Sequence, residues 1–308
     1  MRHHTTLRYV DAIARHGSIR RAAEVLAITP SALNRRLLAL EEELGVPLFE
    51  RLARGVRLSA AGEAFVHHAR RQIADMARVR AAIEDMKGAR RGHVTIAFDR
   101  ALPSAALSAR IVAYRAEYPE VTFEVIACDR SDAAALLQSY TADIAVAVEP
   151  ERTSTFATLA VVPVQMLALA SKDHAIGNSE PVRLYRALEH PFALPSFGRS
   201  ARFLFDLATA RRDRRVEPVL AGPDSVILPL IRAGQAIGIG MRLPSAGDGR
   251  EEWEHPALIG VRSLPFHPGD VPLAQVHVGQ LRDRALPVPA ARFADTILRA
   301  IARATGEV

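Results

Sequence analysis

Residues 18–58 contain two helix starts followed by a basic hairpin, an order that few small folds accommodate. Ser18 can accept hydrogen bonds from the free N–H groups of a helix over 19–26, and Thr29 can do the same for a helix that begins at Pro30. Small apolar residues on the first helix allow the second helix to pack closely against it. This order predicts a winged helix-turn-helix, a fold that inserts its second helix into the DNA major groove.

The second helix is predicted to bury one face and expose another. Apolar residues recur at three- and four-residue spacing and are expected to face the core: Ala32, Leu33, Leu37, Leu40 and Leu44. Asn34 and Arg35 lie one turn inside the helix, where Asn can bind adenine and Arg can bind guanine. The alternative is a merely solvated polar face, which the two capped helices disfavour. The residues of this segment predicted to contact DNA are Ser18, Thr29, Pro30, Ser31, Asn34, Arg35 and Arg36.

The hairpin over 48–58 is predicted to form the wing. Gly55 can supply the positive φ that its tip needs, between strands at 48–51 and 56–58. Arg51, Arg54 and Arg57 place positive charge on this hairpin, and an arginine at such a tip can enter a minor groove or contact phosphate. For Arg54 the alternative is an exposed charge without a partner.

A dense set of motifs runs through this segment. They are Leu7-Arg8-Tyr9-Val10, His16-Gly17-Ser18, Arg21-Ala22-Ala23-Glu24-Val25-Leu26, Ser31-Ala32-Leu33 and the stretch 40–51, continued by Arg57-Leu58-Ser59 and Ala61-Gly62-Glu63. In these motifs the chain resembles the LysR-type family of bacterial transcriptional regulators. Pro30 and Asn34 depart from the family's usual residues, so the family's base preferences are not carried over to this chain.

Charge is distributed unevenly along the 308 residues, whose net charge is +6. Residues 1–92 hold 17 Lys and Arg against 10 Asp and Glu, a balance of +7, which leaves −1 for the rest. The cationic part of the chain is therefore the part that contains the DNA-reading motif. Cationic side chains that bind a polyanion release its counterions, which favours DNA binding. No apolar run is long enough for a membrane span, and the N-terminus lacks an apolar signal region. We therefore expect a soluble, cytoplasmic protein.

Residues 59–88 are predicted to form one long amphipathic linker helix. Its apolar stripe is expected to pair with a second copy of the chain, with packing on its own chain as the alternative. The residues predicted for this dimer contact are Phe65, Ala69, Ile73, Met76 and Ile83. Two copies would present two recognition helices to an inverted-repeat operator. The resemblance implies further assembly to a tetramer and RNA polymerase as a further partner.

Beyond a predicted hinge at 88–92 the pattern changes to strands alternating with helices, which indicates an α/β domain. Strands are predicted near 93–98, 121–127, 143–148, 166–170, 191–195, 236–241 and 273–278, and helices near 104–117, 131–139, 202–210, 224–232 and 289–302. The resemblance implies a two-lobed, periplasmic-binding-protein-like effector domain. The predicted domains are therefore 1–58, 59–88 and 89–308, with lobe I at 93–163 and 266–308 and lobe II at 164–265.

Ligands of open α/β sheets collect at the carboxyl ends of the strands and at helix N-termini. There Ser104 and Ser131 can each donate a hydroxyl, and Arg199 can grip a carboxylate at two points. The alternatives are two plain helix caps, a surface charge and, for Phe197, a buried anchor. The residues predicted to bind a small effector, of anionic character, are Ser104, Arg130, Ser131, Glu149, Ser196, Phe197 and Arg199.

Motifs of catalysis and of metal binding are absent from the sequence, including His-Glu-x-x-His, Gly-x-Ser-x-Gly and Cys-x-x-Cys. We predict no catalytic residue, metal or cofactor. Cys128, the single cysteine, follows an apolar strand and is predicted to be a core residue rather than a redox sensor. We therefore predict a sequence-specific transcriptional regulator that senses a small molecule. The alternative is a ligand-binding or catalytic α/β protein whose helix-turn-helix serves protein association.

Overall fold

The N-terminal part of the chain consists of three helices, a hairpin and one long helix. Their bounds are α1 Arg2–His16, α2 Ile19–Val25, α3 Pro30–Leu44, β1 Phe49–Leu52, β2 Gly55–Leu58 and α4 Ala60–Met86. The computed structural model describes residues 2–86, 91–176, 181–243 and 260–305, so residues 88–90 of the predicted hinge lie outside the described residues. The chain divides into two compact units, 1–88 with 139–141 and 89–138 with 142–308.

Local hydrogen bonds explain where α2 and α3 begin and end. The Ser18 side chain accepts a hydrogen bond from the Arg21 amide, and the Thr29 side chain accepts one from the Ala32 amide. Pro30 occupies the first turn of α3, and Gly45 ends this helix in the left-handed conformation with φ +71°. The two predicted helix starts are confirmed, because short polar side chains there satisfy amides that have no partner inside the helix.

The core of this unit covers one face of α3. Leu33, Leu37 and Leu40 are buried as predicted, and Ala32 is half-buried. The prediction for Leu44 is wrong, since its side chain is 42% exposed. Leu44 is the last residue of α3, and the backbone turns away at the left-handed Gly45 that follows.

The second unit is an α/β structure. Its elements are β3 Gly92–Asp99, α5 Ser104–Glu117, β4 Val121–Cys128, α6 Ala133–Gln138, β5 Ile144–Val148, β6 Phe156–Ser171, α7 Leu184–Ala187, β7 Ala193–Pro195, α8 Ser200–Ala210, β8 Leu220–Gly222, α9 Asp224–Arg232, β9 Gly238–Arg242, β10 Val261–Pro265, β11 Ala274–Leu281 and α10 Val288–Thr305. The helices α5 and α9 begin where the sequence predicts. Helix α6 begins at Ala133 rather than at residue 131, because residues 129–132 form a turn closed by hydrogen bonds between Asp129 and Asp132.

One seven-stranded mixed sheet organises this unit in the order β10-β6-β11-β5-β3-β4, with β9 also paired to β6. Strands β3, β4 and β5 are parallel, whereas β11 runs antiparallel to β5 and β6. Strand β6 pairs with β11 over 156–164 and then with β9 and β10 over 165–171. This 16-residue strand is shared by two lobes, one around β3, β4, β5 and β11 and the other around β9 and β10. The carboxyl ends of β3, β4 and β5 and the start of α8 meet between these two lobes and position the candidate effector site.

Candidate functional site

The exposed edge of α3 carries the side chains predicted to contact bases. Ser31 and Arg35 are exposed and Asn34 is half-buried. Leu38, seven residues beyond Ser31 on the same edge, is also exposed, and a leucine there can contact a thymine methyl group. Within the described parts of the chain, Arg35 makes no side-chain hydrogen bond or ion pair. Its guanidinium group is therefore available to a ligand outside the protein.

The start of α3 offers polar groups of a kind that contact phosphate. The Thr29 and Ser31 hydroxyls lie 3.2 Å apart, and Pro30 follows Thr29 without an N–H of its own. The first amides of a helix carry partial positive charge, which favours an anion at this end. Ser18 has the corresponding place at the start of α2 and is half-buried.

Arg36 differs from its neighbour Arg35 because the guanidinium group of Arg36 already contacts another side chain of the protein. The Arg36 guanidinium carbon lies 5.2 Å from the centre of the Tyr9 ring on α1. A cation placed over an aromatic face is attracted by the negative potential of the ring. Arg36 is thus oriented by α1, whereas Arg35 projects freely.

The wing is pinned to the loop between α1 and α2. Val56 N donates a hydrogen bond to Gly17 O, and Gly55 adopts φ +96° at the tip, as predicted. A Cβ atom on Gly55 would lie 2.3 Å from Gly17 O, so no other residue fits without a shift of the backbone. Arg54 is exposed beside this glycine.

The three wing arginines are not equivalent. Arg57 forms an ion pair with Glu50, its cross-strand neighbour, at 2.5 Å. Arg51 and Arg54 are exposed and make no side-chain hydrogen bond or ion pair among the described residues. The uncompensated charge of the wing therefore lies on Arg51 and Arg54.

The long helix α4 is covered by its own chain only in its first half. Ala69 is fully buried in the unit that contains α1, and Arg70 Nε donates to Asp11 Oδ1 on α1 at 2.6 Å. The prediction that Ala69 contacts a second copy is therefore wrong, because α1 packs against this part of α4. Phe65 is half-buried and also packs on this core.

The second half of α4 has a different surface. Ile73 is half-buried, and Met76, Val79 and Ile83 are 41–47% exposed. Their spacing of three and four residues places them on one helix face. Val79 belongs to this face but was missed by the sequence prediction, although the same spacing contained the signal.

A buried carboxylate lies between the two lobes. Asp99, at the end of β3, is fully buried and accepts hydrogen bonds from Val148 N at 3.0 Å and Ala101 N at 2.9 Å. The Ser200 hydroxyl, at the start of α8 in the other lobe, donates to Asp99 Oδ2 at 2.7 Å and accepts from Arg130 N at 3.0 Å. Burial raises the pKa of Asp99 despite these donors. Sequence reasoning missed Asp99 and Ser200; an acid directly after an apolar strand was the available signal for Asp99.

Arg130 and Arg199 lie in the same region and add contacts between the lobes. Arg130 Nε donates to Glu149 O at 3.1 Å, and the Arg130 guanidinium lies 4.3 Å from the centre of the Phe203 ring on α8. Arg199 lies 3.6 Å from Asp129. Glu149 adopts a positive φ of 42°, an uncommon conformation for a residue other than glycine, at the end of β5. The structure thus brings Arg130, Glu149 and Arg199 together around Asp99.

The other predicted effector residues have different surroundings. Ser104 is exposed within the first turn of α5, where Pro103 occupies the cap position, and Ser131 donates to Asp132 two residues before α6 begins. The interpretation of these two serines as helix caps is therefore wrong. Ser196 is half-buried. Phe197 is 90% exposed, so its interpretation as a buried anchor is also wrong.

Cys128 is fully buried at the end of β4. Burial, together with the charges of Asp99, Asp132 and Asp129, raises the pKa of its thiol to about 12. The thiolate is the reactive form of cysteine, so this thiol is unreactive at neutral pH. Its place in the core agrees with the sequence prediction.

The described ranges contain neither a candidate membrane-spanning helix nor a candidate metal cluster. None of the helices there combines the length and the apolarity that a membrane crossing requires. Nor do three or more His, Cys, Asp or Glu residues of these ranges come together in a way that could hold a metal ion.

Comparison with known protein families identifies both parts of the chain. Residues 4–63 match the model of the bacterial regulatory helix-turn-helix proteins of the lysR family, and residues 87–302 match the LysR substrate binding domain. The chain belongs to the LysR family. Like other LysR proteins it is a DNA-binding transcriptional regulator with a C-terminal effector-binding domain.

Some LysR relatives are similar to this chain over its whole length, and others over only part of it. The probable HTH-type transcriptional regulator LrrA of Synechococcus elongatus is 27% identical over 307 residues, which are 98% of this chain and 99% of LrrA. The RuBisCO operon transcriptional regulator of Allochromatium vinosum is 27% identical over 197 residues, 64% of this chain and 65% of that regulator. Full-length CbnR, solved with its target DNA, shares the fold with a TM-score of 0.63 at 19% identity, over 96% of this chain and 99% of CbnR.

Proposed function

We propose that this LysR-family regulator reads its operator through the exposed edge of α3, with Arg35 as the principal base contact and Ser31, Asn34 and Leu38 beside it. One observation carries the proposal: Arg35 is exposed, and no described residue pairs with it, one turn inside a helix whose core face is fixed by buried leucines. A bidentate Arg–guanine contact contributes about 1–3 kcal/mol of discrimination between bases. Loss of Arg35 therefore affects specificity as well as affinity.

The wing and the helix starts supply contacts to the DNA backbone. Arg51 and Arg54 are the wing cations that pair with no other residue of the described ranges, and we assign them to phosphate or to the minor groove. Arg57 and Arg36 are held by Glu50 and Tyr9, and we assign them to positioning rather than to base reading. Ser18, Thr29 and Pro30 lie at helix N-termini, which suit phosphate oxygens.

Two copies of the chain are proposed to pair along the second half of α4. The exposed apolar side chains of Met76, Val79 and Ile83 support this assignment, since one helix face of this kind is stabilised by burial against a second helix. The pair presents two α3 helices related by a two-fold axis, so the operator is an inverted repeat. Further assembly gives a tetramer.

The effector is proposed to bind between the lobes, near Arg130, Glu149 and Arg199. The cross-lobe contacts of Asp99 with Ser200 and of Asp129 with Arg199 support this assignment, because a ligand that rearranges them changes the relation between the lobes. Such a ligand acts only if it binds one arrangement better than another.

Several wider features belong to the same proposal. We propose that the protein has no catalytic activity and works in the cytoplasm, associated with the nucleoid when bound to DNA. RNA polymerase is a further proposed partner. The proposed domain limits are 1–58 for the DNA-binding domain, 59–88 for the linker helix and 89–308 for the effector domain.

The test is selection of DNA by the full-length protein from a random duplex pool, followed by footprinting. The proposal predicts an enriched inverted repeat whose half-sites are centred about one helical turn, or a multiple of it, apart. Affinity should fall steeply with salt, by about 0.9 in logarithmic slope per phosphate contact. A pool that shows no enrichment, or a footprint without symmetric half-sites, would contradict the proposal.

A further inference from the structure

A cavity of about 670 Å³ opens in the lobe that contains β9 and β10. Its described lining comes from the turn after β6, from the two residues at 190–191 before β7, and from the end of α9. Ligand sites in proteins commonly have volumes of about 300–1,000 Å³. The cavity shares no described lining residue with the proposed effector site between the lobes, so a molecule bound here is a second ligand.

Basic side chains predominate around this cavity. Lys172 and His174 lie in the turn after β6, His190 precedes β7, and Arg232 lies in the last turn of α9. Asp173 is the one carboxylate among the described lining residues. With both imidazoles neutral, two cations against one anion leave a balance of +1, and protonation of either histidine increases it. The charge of the cavity therefore favours an anion.

The His174 ring presents an N–H group rather than a lone pair. Ile176 N donates a hydrogen bond to His174 Nδ1 at 3.1 Å, so Nδ1 is the acceptor and the ring proton lies on Nε2. Nε2 is then a donor whether the imidazole is neutral or charged. A donor at this position suits an oxygen of an anion, whereas a metal ion requires the lone pair.

The two histidines of the cavity are close enough to influence each other. Their ring centres lie 4.8 Å apart, with the planes inclined at 69°. Burial, together with the charge of His190, lowers the pKa of His174 below its ordinary 6.5. Lys172 and Arg232 add positive charge to the same lining, and Asp173 adds negative charge. An anion placed among these groups favours the charged imidazoles, so its binding and the uptake of protons are coupled.

The end of α9 leaves room for negative charge. A helix C-terminus carries partial negative charge on carbonyl groups that lack a donor. Here the carbonyl groups of residues 229–231 accept hydrogen bonds from the amides of residues 233–235. The cationic Arg232 lies in the same turn. The partial charge that would repel an anion is therefore reduced at this end of the helix.

From this geometry we infer that the cavity binds a small dianionic oxyanion of the phosphate-monoester class. The residues that hold it are Lys172, His174, His190 and Arg232. A phosphate group offers three acceptor oxygens to donors from several directions, whereas a carboxylate offers two in one plane. The volume exceeds that of an inorganic ion and accommodates the organic part of the ester. The site is a second one and does not depend on the proposed effector site.

The test is calorimetric titration of the full-length protein with sulfate at about pH 6 and pH 8, at an ionic strength held constant with chloride. Sulfate stays doubly charged over this range, so a pH dependence of its binding arises in the protein, whose histidines titrate there. Glycerol phosphate is compared with sulfate at pH 8, where both are dianions. Sulfate that binds to the DNA-binding residues is common to every variant and cancels in the comparison.

The variants separate the cavity from general effects of substitution. His174→Asn keeps an acceptor for Ile176 N and removes the Nε2 donor. His267→Asn is the matched control, because His267 Nδ1 accepts a hydrogen bond from Gly269 N at 3.1 Å in the same way and lies outside the described lining. Lys172→Gln and Asp173→Asn change exposed side chains, so the fold is retained.

Wild type is expected to bind sulfate about fivefold more tightly at pH 6 than at pH 8, since one unit of pKa shift corresponds to a tenfold change in affinity. His174→Asn should weaken binding about tenfold at pH 6 and remove most of the pH dependence, and Lys172→Gln should weaken it about threefold. Asp173→Asn should tighten binding, and His267→Asn should change nothing.

Two results would overturn the site: binding that His174→Asn and Lys172→Gln leave unchanged, or no binding of either anion by the wild type. Glycerol phosphate that binds more tightly than sulfate supports the ester class. Equal affinities would overturn that class in favour of an inorganic ion.

Discussion

The contact between the wing and the α1–α2 loop makes a quantitative prediction about Gly55→Ala. Gly55 and Gly45 both adopt positive φ, +96° and +71°, so alanine at either position costs about 1–2 kcal/mol in backbone strain. They differ in their surroundings. A Cβ atom at residue 45 would meet nothing within 4 Å, whereas one at residue 55 would lie 2.3 Å from Gly17 O. Gly45→Ala is therefore a matched control that carries the strain without the clash.

The additional cost of Gly55→Ala comes from the backbone that must move. Gly17 O accepts the hydrogen bond from Val56 N at 2.9 Å, and moving the wing away from the α1–α2 loop weakens this bond. Loss of one hydrogen bond costs about 1 kcal/mol, and overpacking against a backbone atom costs about 1–3 kcal/mol. We therefore expect Gly55→Ala to reduce the local unfolding free energy by about 2–4 kcal/mol more than Gly45→Ala does.

Native-state hydrogen exchange measures this difference at the amides of residues 49–58, because exchange reports local as well as global opening. Fluorescence anisotropy with a selected duplex measures the functional consequence. Gly55→Ala should weaken DNA binding and flatten its salt dependence, because the displaced wing loses the contacts of Arg54. Gly45→Ala should leave the salt dependence unchanged. If the two variants lose equal protection against hydrogen exchange and equal DNA affinity, the close approach of residue 55 to Gly17 O has no effect of its own and this reasoning is refuted.

Three further predictions concern the other contacts. Asp270→Ala should lower the unfolding free energy by about 1–3 kcal/mol in urea, because Leu184 N loses its buried acceptor; Asp173→Ala, at an exposed position, is the control. The hydrogen bond from Arg183 holds the pKa of Asp270 below its ordinary 3.8. The ionised carboxylate therefore stabilises the fold fully above about pH 4, and this stabilisation is lost as pH falls through the lowered pKa. The variant lacks this contribution at every pH. Wild type and Cys128→Ala should each bind DNA with the same affinity before and after peroxide treatment. If peroxide lowers the DNA affinity of the wild type but not of Cys128→Ala, the claim that the Cys128 thiol is unreactive is wrong. Ile83→Glu should weaken self-association in sedimentation experiments, while Arg71→Glu, at an exposed position outside that face of α4, should not.

Local chemistry explains which parts of the fold were predictable. The starts of α2 and α3 depend on hydrogen bonds within three residues of Ser18 and Thr29, so the sequence is sufficient to place them. Strand β6 was predicted only near 166–170, because the partners of its first half, residues 274–281, lie more than a hundred residues away in the chain. Strand β10 and helix α7 were missed for a related reason. They are short, and pairing or packing at long range defines them more than their own pattern does.

The same distinction applies to the sites. Spacing on one helix was enough to separate the exposed Arg35 from the buried Leu33 and Leu37. It was not enough for Ala69, whose apolar side chain fits equally well against α1 or a second copy. The hydrogen bond between Asp99 and Ser200 joins residues 101 positions apart, which no local pattern encodes. Phe197 was judged by its apolarity alone, and its exposure depends on a loop conformation that the pattern does not determine.

The central claim, that α3 reads bases through Arg35, is tested most directly by comparing two adjacent variants on two kinds of duplex. Affinities of wild type, Arg35→Ala and Arg36→Ala are measured for the selected operator and for a random duplex at one salt concentration. We predict that Arg35→Ala reduces the ratio of specific to random affinity by about tenfold, which corresponds to 1.4 kcal/mol within the range of one bidentate base contact. Arg36→Ala should leave that ratio nearly unchanged, because Tyr9 already holds its guanidinium group. An Arg35→Ala protein that loses equal affinity for both duplexes would contradict the account.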